Sequence, residues 1–526
     1  MQTILELNKN RFEWVHQRAV AAFEQSKHEQ AVAWAYLAGF CAWRAHMGQF
    51  AHPGLESLLH NIGTNLTPSN TFMPVNSAQT FSRRRWLHVL SSAFGIGGHT
   101  RLVQQWIKKD FGRKECHSVL LTDQRNFSVP DWLTKTVVAT EGQLTVLPPG
   151  MDIFERARSM RNIAMSCADI VVLHTNPNDP LPLLAFAAEN LPPILLMNHA
   201  DHVFWYGATL ADAVADLRPS SQEVTLKRRL IKNTHILPIP LELPAAPSKS
   251  KLDAKRQLSL PEDSVMLLTI GSNYKYLPYR NLSFPAAAIE ILQQNPSAIL
   301  VVIGTEKKNK DWINASKCIG ERLVLAGRQE NIENYYKASD IYLESFPLGS
   351  LTATLDAVLY DTPVVRAPEL ALEILGLDRY DGMNNNASTI EEYYTYINHL
   401  INNSSNRLEV SQLQKQSVLS AHTGEGWRQQ LDTLVSKLPT HHNTGISNQL
   451  SFTTQPENSD NIWAELQRLH EGTKILSRAY FDNPGYSKYL KPDLLDRLKA
   501  LSISRGQYHP EFRTVMLKIN KRLPVI

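Results

Sequence analysis

The sequence has few cysteines and no long apolar run. Its four cysteines, among 526 residues, lie far apart without paired spacing, which excludes a zinc ribbon and argues against a disulfide framework. Runs such as PILLM and AILVVIG are far shorter than the ~20 residues that cross a bilayer. The first residues, MQTILELNKNRFEW, lack the apolar core of a signal peptide. We therefore expect a cytoplasmic protein, with peripheral contact to the inner face of the membrane left open.

A large excess of charge of one sign is also missing. Lys and Arg number 54 against 50 Asp and Glu, for a net charge of +4, and the basic runs at 83–85 and 227–229 are short. This charge is too weak and too evenly spread to predict a nucleic-acid partner, although it suits phosphate-bearing ligands. A hydrophobic share of 43% and the length of 526 residues fit several folded domains.

Changes in sequence pattern divide the chain into five segments. Residues 1–75 have helical periodicity and predict a helical domain. Short apolar strands alternate with helices over 76–245 and again, after a proline-rich hinge, over 246–440. This alternation is typical of α/β domains with parallel sheets, so we expect two Rossmann-like domains whose strand carboxyl ends face a cleft. Residues 441–458 predict a linker, and 459–526 a helical segment.

A glycine-containing loop, SSAFGIGGHTR, follows the first strand of the first α/β unit. Gly97 and Gly98 precede a helix that we expect to begin near Thr100, so backbone N–H groups can approach an anion at the positive helix end. A sugar or phosphate loop is the favoured interpretation, and a plain steric turn is the alternative. A third interpretation is a dinucleotide site with Asp123 on the ribose, which would make the protein an NAD(P)-dependent oxidoreductase.

A second strand-end loop, MNHADHVFWYG, is rich in histidine. His199 and His202 can act as a general base or position a hydroxyl, because an imidazole with a pKa of about 6.5 suits proton transfer at neutral pH. Asp201 lies between them in the same loop. A structural histidine is the alternative for one of the pair, and support for a metal site in this loop is thin.

Two loops of the second α/β unit carry candidates for binding a diphosphate. After a strand that ends at Gly271 and Ser272, the loop NYKYLPYR presents Lys275 and Arg280. Two cations in a cleft loop can neutralise phosphate charge.

The other loop is the stretch SFPLGSLTATLDAVLY. It places Pro347, Gly349, Ser350 and Thr352 at the start of a helix, whose N–H groups and dipole favour a phosphate. Asp356, on the first turns, can accept hydrogen bonds from the two vicinal hydroxyls of a ribose. The alternative is an ordinary capped helix with a first-turn acid.

Taken in order, these motifs resemble the donor half of GT-B glycosyltransferases. Pro347, Gly349, Ser350 and Asp356 match the spacing of a motif in the bacterial soluble N-glycosyltransferases that modify adhesins and in their relative, O-GlcNAc transferase. YKYLPY is similar to the loop of that family that meets the nucleotide diphosphate. The GIGGHTR loop resembles instead that of polysaccharide-building GT-B enzymes. The donor-half resemblance covers residues 265–397.

The resemblance implies a hexosyltransferase that uses a nucleotide sugar, UDP-linked, and no other cofactor. Lys275 would stabilise the departing diphosphate with catalytic effect, Asp356 would hold the ribose, and Gly327 and Arg328 would lie near the base. The sequence has no Asp-x-Asp triplet of the kind that holds a metal in GT-A enzymes, so we expect a metal-independent site.

The acceptor that we expect is a surface glycan or a lipid-linked glycan. His199, or His99 from the facing glycine loop, would act on it as the catalytic base, and Asp201 and His202 would contact it. A protein side chain, Asn or Ser/Thr, is the alternative acceptor. A non-catalytic nucleotide-binding protein stays open as a further class.

Overall fold

Apolar runs of Val, Ile and Leu form the strands of two parallel sheets. The computed structural model describes residues 3–67, 83–95, 97–113, 115–125, 128–244, 250–305, 309–368, 387–442, 456–472, 475–481 and 484–490. Within these ranges the first sheet has seven strands, in the order β3-β2-β1-β4-β5-β6-β7, and the second has five, in the order β10-β9-β8-β11-β12. The strands are β1 (Arg84–Leu90), β2 (Glu115–Leu121), β3 (Leu144–Val146), β4 (Ile170–His174), β5 (Ile194–Asn198), β6 (Ala213–Asp216), β7 (Thr234–Ile236), β8 (Val265–Ile270), β9 (Ala298–Ile303), β10 (Leu323–Gly327), β11 (Ile341–Leu343) and β12 (Val364–Val365).

Helices connect the strands and extend the chain at both ends. They are α1 (Ile4–Glu24), α2 (His28–Arg44), α3 (Pro53–Thr64), α4 (Gly98–Lys109), α5 (Asp131–Val138), α6 (Ile153–Cys167), α7 (Leu181–Ala185), α8 (Pro219–Lys227), α9 (Lys251–Gln257), α10 (Phe284–Gln294), α11 (Lys310–Ile319), α12 (Glu333–Ala338), α13 (Leu351–Leu359), α14 (Ile390–Asn402), α15 (Ser404–His422), α16 (Gly424–Val435), α17 (Asn458–Glu471), α18 (Ile475–Phe481) and α19 (Pro484–Ser487), with short 3-10 helices at Asn273–Tyr276 and Gly320–Arg322. No helix in the described ranges is both long and apolar enough to cross a membrane.

The predicted fold class, two parallel α/β domains with added helices, is confirmed. Strand β6, between β5 and β7 in the sheet, is only four residues long and has the sequence AVAD, which is too short for an apolar run to indicate a strand. Helix α4 begins at Gly98 rather than near Thr100. Its N-cap residue, Gly97, has φ of 124°, a backbone conformation that a residue with a side chain rarely adopts.

The amino-terminal helices pack closely against the first α/β domain. A Cβ atom on Gly63 of α3 would lie 2.5 Å from the carbonyl oxygen of Leu184 on α7, so this approach requires glycine. The Tyr206 hydroxyl donates a hydrogen bond of 2.6 Å to the carbonyl of Ala35 on α2. The Arg161 guanidinium donates to carbonyls on both sides of this boundary. The helical part therefore shares one core with the first domain.

The carboxyl-terminal helices return to the first half of the chain. Trp427 on α16 donates from Nε1 to the carbonyl of Pro238, at 2.7 Å. Arg428, the next residue, pairs with Asp110 and Glu115 of the first domain. On α17, Asp460 is buried between His46 and Arg228, with distances of 2.8 Å to each. Helices α16 and α17 thus tie the carboxyl-terminal part to the first domain and to the amino-terminal helices.

The Glu56 side chain provides a direct test of the contact between the helical part and the first domain. Its carboxylate is buried and accepts hydrogen bonds from the N–H groups of Gly207, Ala208 and Thr209 and from the Thr209 hydroxyl. In a Glu56→Ala variant these buried donors lose their acceptor, at a cost of about 1–3 kcal/mol for each unpaired group. We expect the melting temperature to fall by roughly 5–10 °C. An exposed control, Glu425→Ala, should change it by less than about 2 °C, and an equal fall in both variants would contradict the buried role.

Candidate active site

A cavity of about 550 Å³ lies between the two sheets, at the carboxyl ends of their strands. This is the edge at which parallel α/β domains bind ligands. Residues of both α/β domains line it, and so do residues of the added helices, namely Trp43 and Arg44 of α2 and Trp463 of α17. Eight of the residues predicted from the sequence line this cavity: Gly98, His99, His199, Asp201, His202, Lys275, Gly349 and Thr352.

The N-termini of two helices, one from each domain, meet in this cavity. Helix α4 begins at Gly98 and α13 begins at Leu351. A Cβ atom on Gly98 would lie 3.1 Å from Oγ1 of Thr352, so the two helix starts are almost in contact. The N-cap residue of α4, Gly97, has no side chain, and the N-cap residue of α13, Ser350, makes no side-chain capping bond. Since the first N–H groups of a helix lack partners within it, and both dipole ends are positive, an anion between them is favoured.

Cationic side chains stand beside these helix starts. The Lys275 ammonium donates a hydrogen bond to the carbonyl of Gly349. Burial lowers the pKa of Lys275 to about 8, with the Glu344 carboxylate opposing the shift, so Lys275 is mostly charged at neutral pH. Arg366 also lines the cavity and donates from Nε to Glu344 at 3.1 Å. The Thr354 hydroxyl is buried at the cavity wall and has no hydrogen-bond partner in the described structure.

Glu344, Arg366 and Thr354 were not among the residues predicted from the sequence. Glu344 directly follows β11 and Arg366 directly follows β12. The available signal was therefore their position at strand carboxyl ends, which is the edge that faces the cleft. No local motif distinguishes either residue.

Two histidines, His99 and His199, line the cavity with their rings held in place. His99 donates from Nε2 to the carbonyl oxygen of His174, at 2.7 Å. The Nε2 of His199 lies 2.8 Å from Nδ1 of His174, and the two cavity-lining rings are 4.5 Å apart. Burial lowers the pKa of both His99 and His199. Both rings are therefore neutral at neutral pH, as a proton acceptor must be.

Asp201 and His202 form a charged group with Arg218 in the cavity wall. The Asp201 carboxylate accepts from His202 Nδ1 and from Arg218 Nε, both at 2.7 Å. Burial alone would raise the pKa of Asp201, but Arg218 and His202 hold it well below its usual range. Asp201 is therefore a fixed negative charge rather than a proton donor.

The other predicted donor residues do not line this cavity, although the structure describes them. They are Gly97, Gly271, Ser272, Arg280, Gly327, Arg328, Pro347, Ser350 and Asp356. Arg280 is exposed and lies 3.4 Å from Glu465 of α17. Asp123, the ribose ligand of the dinucleotide alternative, pairs with Arg125 and Arg156 and lies outside the cavity as well.

Asp356 lies on the second turn of α13, and the first turn holds no acid. The alternative interpretation, a capped helix with a first-turn acid, is therefore wrong. Burial raises the pKa of Asp356 to about 6, against the opposing charge of Arg101. Its role in holding a ribose, like that of Gly327 and Arg328 beside a base, stays a prediction. In the part of the chain that the structure describes, no group of three or more His, Cys, Asp or Glu side chains has metal-binding geometry.

Comparison with known proteins gives matches to solved structures alone. No protein-family model matches the sequence, and no curated protein matches it. The structure of HepE from Anabaena, in complex with UDP and glucose, covers 67% of this chain and 100% of its own, at 14% identity and a TM-score of 0.50. A glycosyltransferase from Rickettsia africae covers 67% of this chain and 98% of its own, at 12% identity and a TM-score of 0.51.

These matches establish the fold as that of the GT-B glycosyltransferases, with two Rossmann-like domains around a cleft. A mutant form of the O-GlcNAc transferase from Thermobaculum terrenum covers 88% of this chain and 83% of its own at 15% identity and a TM-score of 0.46. The resemblance to a particular subfamily stays a prediction.

The geometry of the cavity predicts pH-dependent binding of inorganic pyrophosphate. Because the pKa of Lys275 is about 8, its positive charge is present at pH 7 and is lost as the pH rises toward 9. Isothermal titration calorimetry should show affinity falling over this range. At pH 7 a Lys275→Met variant should bind roughly tenfold or more weakly, as expected for the loss of a charge-assisted contact of about 1.5–3 kcal/mol.

The Lys275→Met variant also corrects for titration of pyrophosphate itself, since both proteins meet the same ligand. Subtracting its pH dependence should leave a transition near pH 8 in the wild-type protein. Identical curves for the two proteins would remove Lys275 from the anion site.

Proposed function

We propose that this protein is a glycosyltransferase that moves a sugar from a UDP-linked nucleotide sugar to a glycan or lipid-linked acceptor. One observation carries the proposal: the N-termini of α4 and α13 meet beside Lys275, in the cleft between two parallel-sheet domains. A diphosphate is an anion of the size and charge that such a position favours. The match in fold to HepE, whose structure was determined with UDP and glucose, supports the choice of UDP.

The donor side of the reaction needs charge stabilisation. When the bond between the anomeric carbon and the diphosphate oxygen breaks, negative charge develops on the departing UDP. Helix N–H groups, Lys275 and Arg366 are already positioned at the cavity wall, so little reorganisation is required when that charge appears. The side-chain hydroxyls of Thr352 and Thr354 are further donors at the same wall.

The acceptor side of the reaction needs a base and a surface for a sugar. His199 is a neutral imidazole in the cavity and would take the proton from the attacking hydroxyl. The side chains of Trp43, Tyr274 and Trp463 line the same cavity, and amphipathic aromatic rings suit the apolar face of a sugar. This wall supports a glycan acceptor rather than a small hydrophilic one.

Nucleotide selectivity tests the proposal. In a thermal-shift screen against UDP, GDP, ADP, CMP, NAD and NADP, we expect UDP to stabilise the protein most. An Asp356→Ala variant should lose at least tenfold in UDP affinity, because a ribose hydroxyl would no longer bond to a carboxylate. Glu409→Ala, an exposed change on α15, is the matched control and should bind as the wild type does.

Other results of this screen, together with an assay for the release of UDP from UDP-sugars, decide between the remaining classes. Stabilisation by NAD or NADP without UDP would contradict the proposal and favour an oxidoreductase. UDP binding without any release of UDP from UDP-sugars would favour a non-catalytic nucleotide-binding protein.

Metal independence makes a separate prediction. Because Lys275, Arg366 and two helix N-termini supply positive charge at the proposed diphosphate position, the affinity for UDP should be the same in EDTA as in MgCl₂ or MnCl₂. Calorimetry in the three buffers measures this directly. A rise of tenfold or more with either metal would contradict a metal-independent site.

A further inference from the structure

Four buried or half-buried histidines cross the first sheet, one from each of four neighbouring strands. They are His117 on β2, His88 on β1, His174 at the end of β4 and His199 just after β5. His117 pairs in register with Trp86, two residues before His88, and His174 pairs with Leu90, two residues after it. Steps of two residues keep side chains on one face of a sheet. The imidazoles therefore form a diagonal row across the sheet, from His117 on β2 to His199 at the cavity.

Continuous hydrogen bonds join these rings. His199 Nε2 lies 2.8 Å from His174 Nδ1, and His174 Nε2 lies 3.0 Å from His88 Nδ1. His88 Nε2 lies 3.0 Å from His117 Nδ1, and His117 Nε2 lies 3.0 Å from an oxygen of Asp110. Every link is of the same type, with Nε2 facing the interior and Nδ1 facing the cavity side. The row ends at a carboxylate.

The pattern of hydrogen-bond donors and acceptors along this row determines the tautomer of each ring. A carboxylate can only accept, so His117 donates from Nε2 to Asp110. Its Nδ1 is then an acceptor, which makes His88 donate from Nε2. By the same reasoning, His174 donates from Nε2 to Nδ1 of His88, and His199 donates from Nε2 to Nδ1 of His174. When all four rings are neutral, the four hydrogen bonds leave one lone pair, on Nδ1 of His199, the ring that lines the cavity.

Tryptophan side chains separate the row from water. Trp86 stacks on His117 with ring centroids 5.9 Å apart, and Trp106 meets His88 edge-on at 5.2 Å. His88 and His117 have no exposed surface. Burial holds the pKa of His88 and His174 well below the usual value, and the neighbouring imidazoles add to the shift. A positive charge on His88 or His174 is therefore disfavoured, so these rings can pass a proton on but do not retain it.

The interior end of the row is a group of charged side chains. Arg428 of α16 bonds to the second oxygen of Asp110 and lies 3.2 Å from Glu115. Arg84 at the surface lies 3.7 Å from Glu115, and Asp432 lies 2.9 Å from Arg428. Asp110 itself is completely enclosed, with both oxygens bonded. A positive charge that arrives on His117 would rest directly against this carboxylate.

We propose that this row, from His199 to Asp110, is a proton relay that carries the acceptor's proton out of the cavity and into the core of the first domain. The inference rests on the proposed glycosyl transfer, because the acceptor hydroxyl is the source of the proton. His199 is the catalytic residue of the row. His174, His88, His117 and Asp110 are positioning residues, since none of them touches a substrate.

The transfer conserves both protons and hydrogen bonds. As the acceptor oxygen bonds to the anomeric carbon and UDP departs, the acceptor proton moves to Nδ1 of His199. The Nε2 protons of His199, His174 and His88 then each move to Nδ1 of the next ring. His117 ends with protons on both nitrogens, beside the Asp110 carboxylate. Each ring-to-ring bond survives with its direction reversed, and the proton returns by the same route to water after the products leave.

An Asp110→Asn variant tests the relay. The asparagine amide can donate to His117 Nε2, which reverses every ring and leaves His199 with an N–H rather than a lone pair toward the cavity. In ¹⁵N-histidine-labelled full-length protein, we expect the NMR signals of His174 and His199 to change from the Nε2–H to the Nδ1–H tautomer. With water as the acceptor, the kcat for hydrolysis of UDP-glucose to glucose and UDP should fall at least a hundredfold, with UDP affinity unchanged. Asp131→Asn, an exposed change on α5, is the matched control.

Each outcome of this test is informative. Unchanged tautomers at His174 and His199 would show that the row is not continuous, and unchanged kcat despite reversed tautomers would show that the reaction does not use it. If Asp110→Asn does not fold, His88→Phe preserves the ring volume and interrupts the row, with the same expected fall in kcat. Failure of the wild-type protein to bind UDP would instead overturn the proposed function, since the tautomers are measured without ligand.

Discussion

The meeting of two positive helix ends is the constraint on which the site depends. In a parallel α/β domain, each helix starts where a strand has just ended, so helix N-termini gather at the carboxyl edge of the sheet. Here two such edges face each other, and α4 and α13 bring their first turns almost into contact. Like dipole ends repel unless an anion lies between them. Lys275 and Arg366 in the surrounding cavity wall strengthen the same preference for an anion, which we propose to be the diphosphate of a nucleotide sugar.

The added helices support this arrangement from outside the two domains. Helix α16 crosses to the first domain, where Trp427 packs edge-on against Trp106 and Arg428 binds Asp110. Helix α17 closes one side of the cavity and contacts the second domain through Glu465, which accepts from the Tyr279 hydroxyl at 2.7 Å. The same C-terminal part thus fixes the cleft and holds the interior end of the histidine row.

Local patterns in the sequence predicted the sheets and the helix starts, because buried parallel strands are nearly continuous apolar runs and the loops after them carry glycine. The two domains, and Gly98 and Thr352 at the helix starts, follow from such patterns. Other features depend on relations between strands that a single sequence does not show. His88, His117 and His174 lie on three separate strands, and only the register places them in one row. Glu344 and Arg366 meet through neighbouring strands in the same way, and the short strand β6 gave too weak a signal.

A crystal structure of the complex with UDP would show directly where the diphosphate binds. We expect it between Gly98 and the stretch from Gly349 to Thr352, within hydrogen-bond distance of the Lys275 ammonium, with the uridine directed toward Asp356. A diphosphate bound elsewhere, for example beside Asp123 and Arg156, would contradict it. In that case the two helix N-termini would meet for packing alone, and the cleft between the sheets would need another explanation.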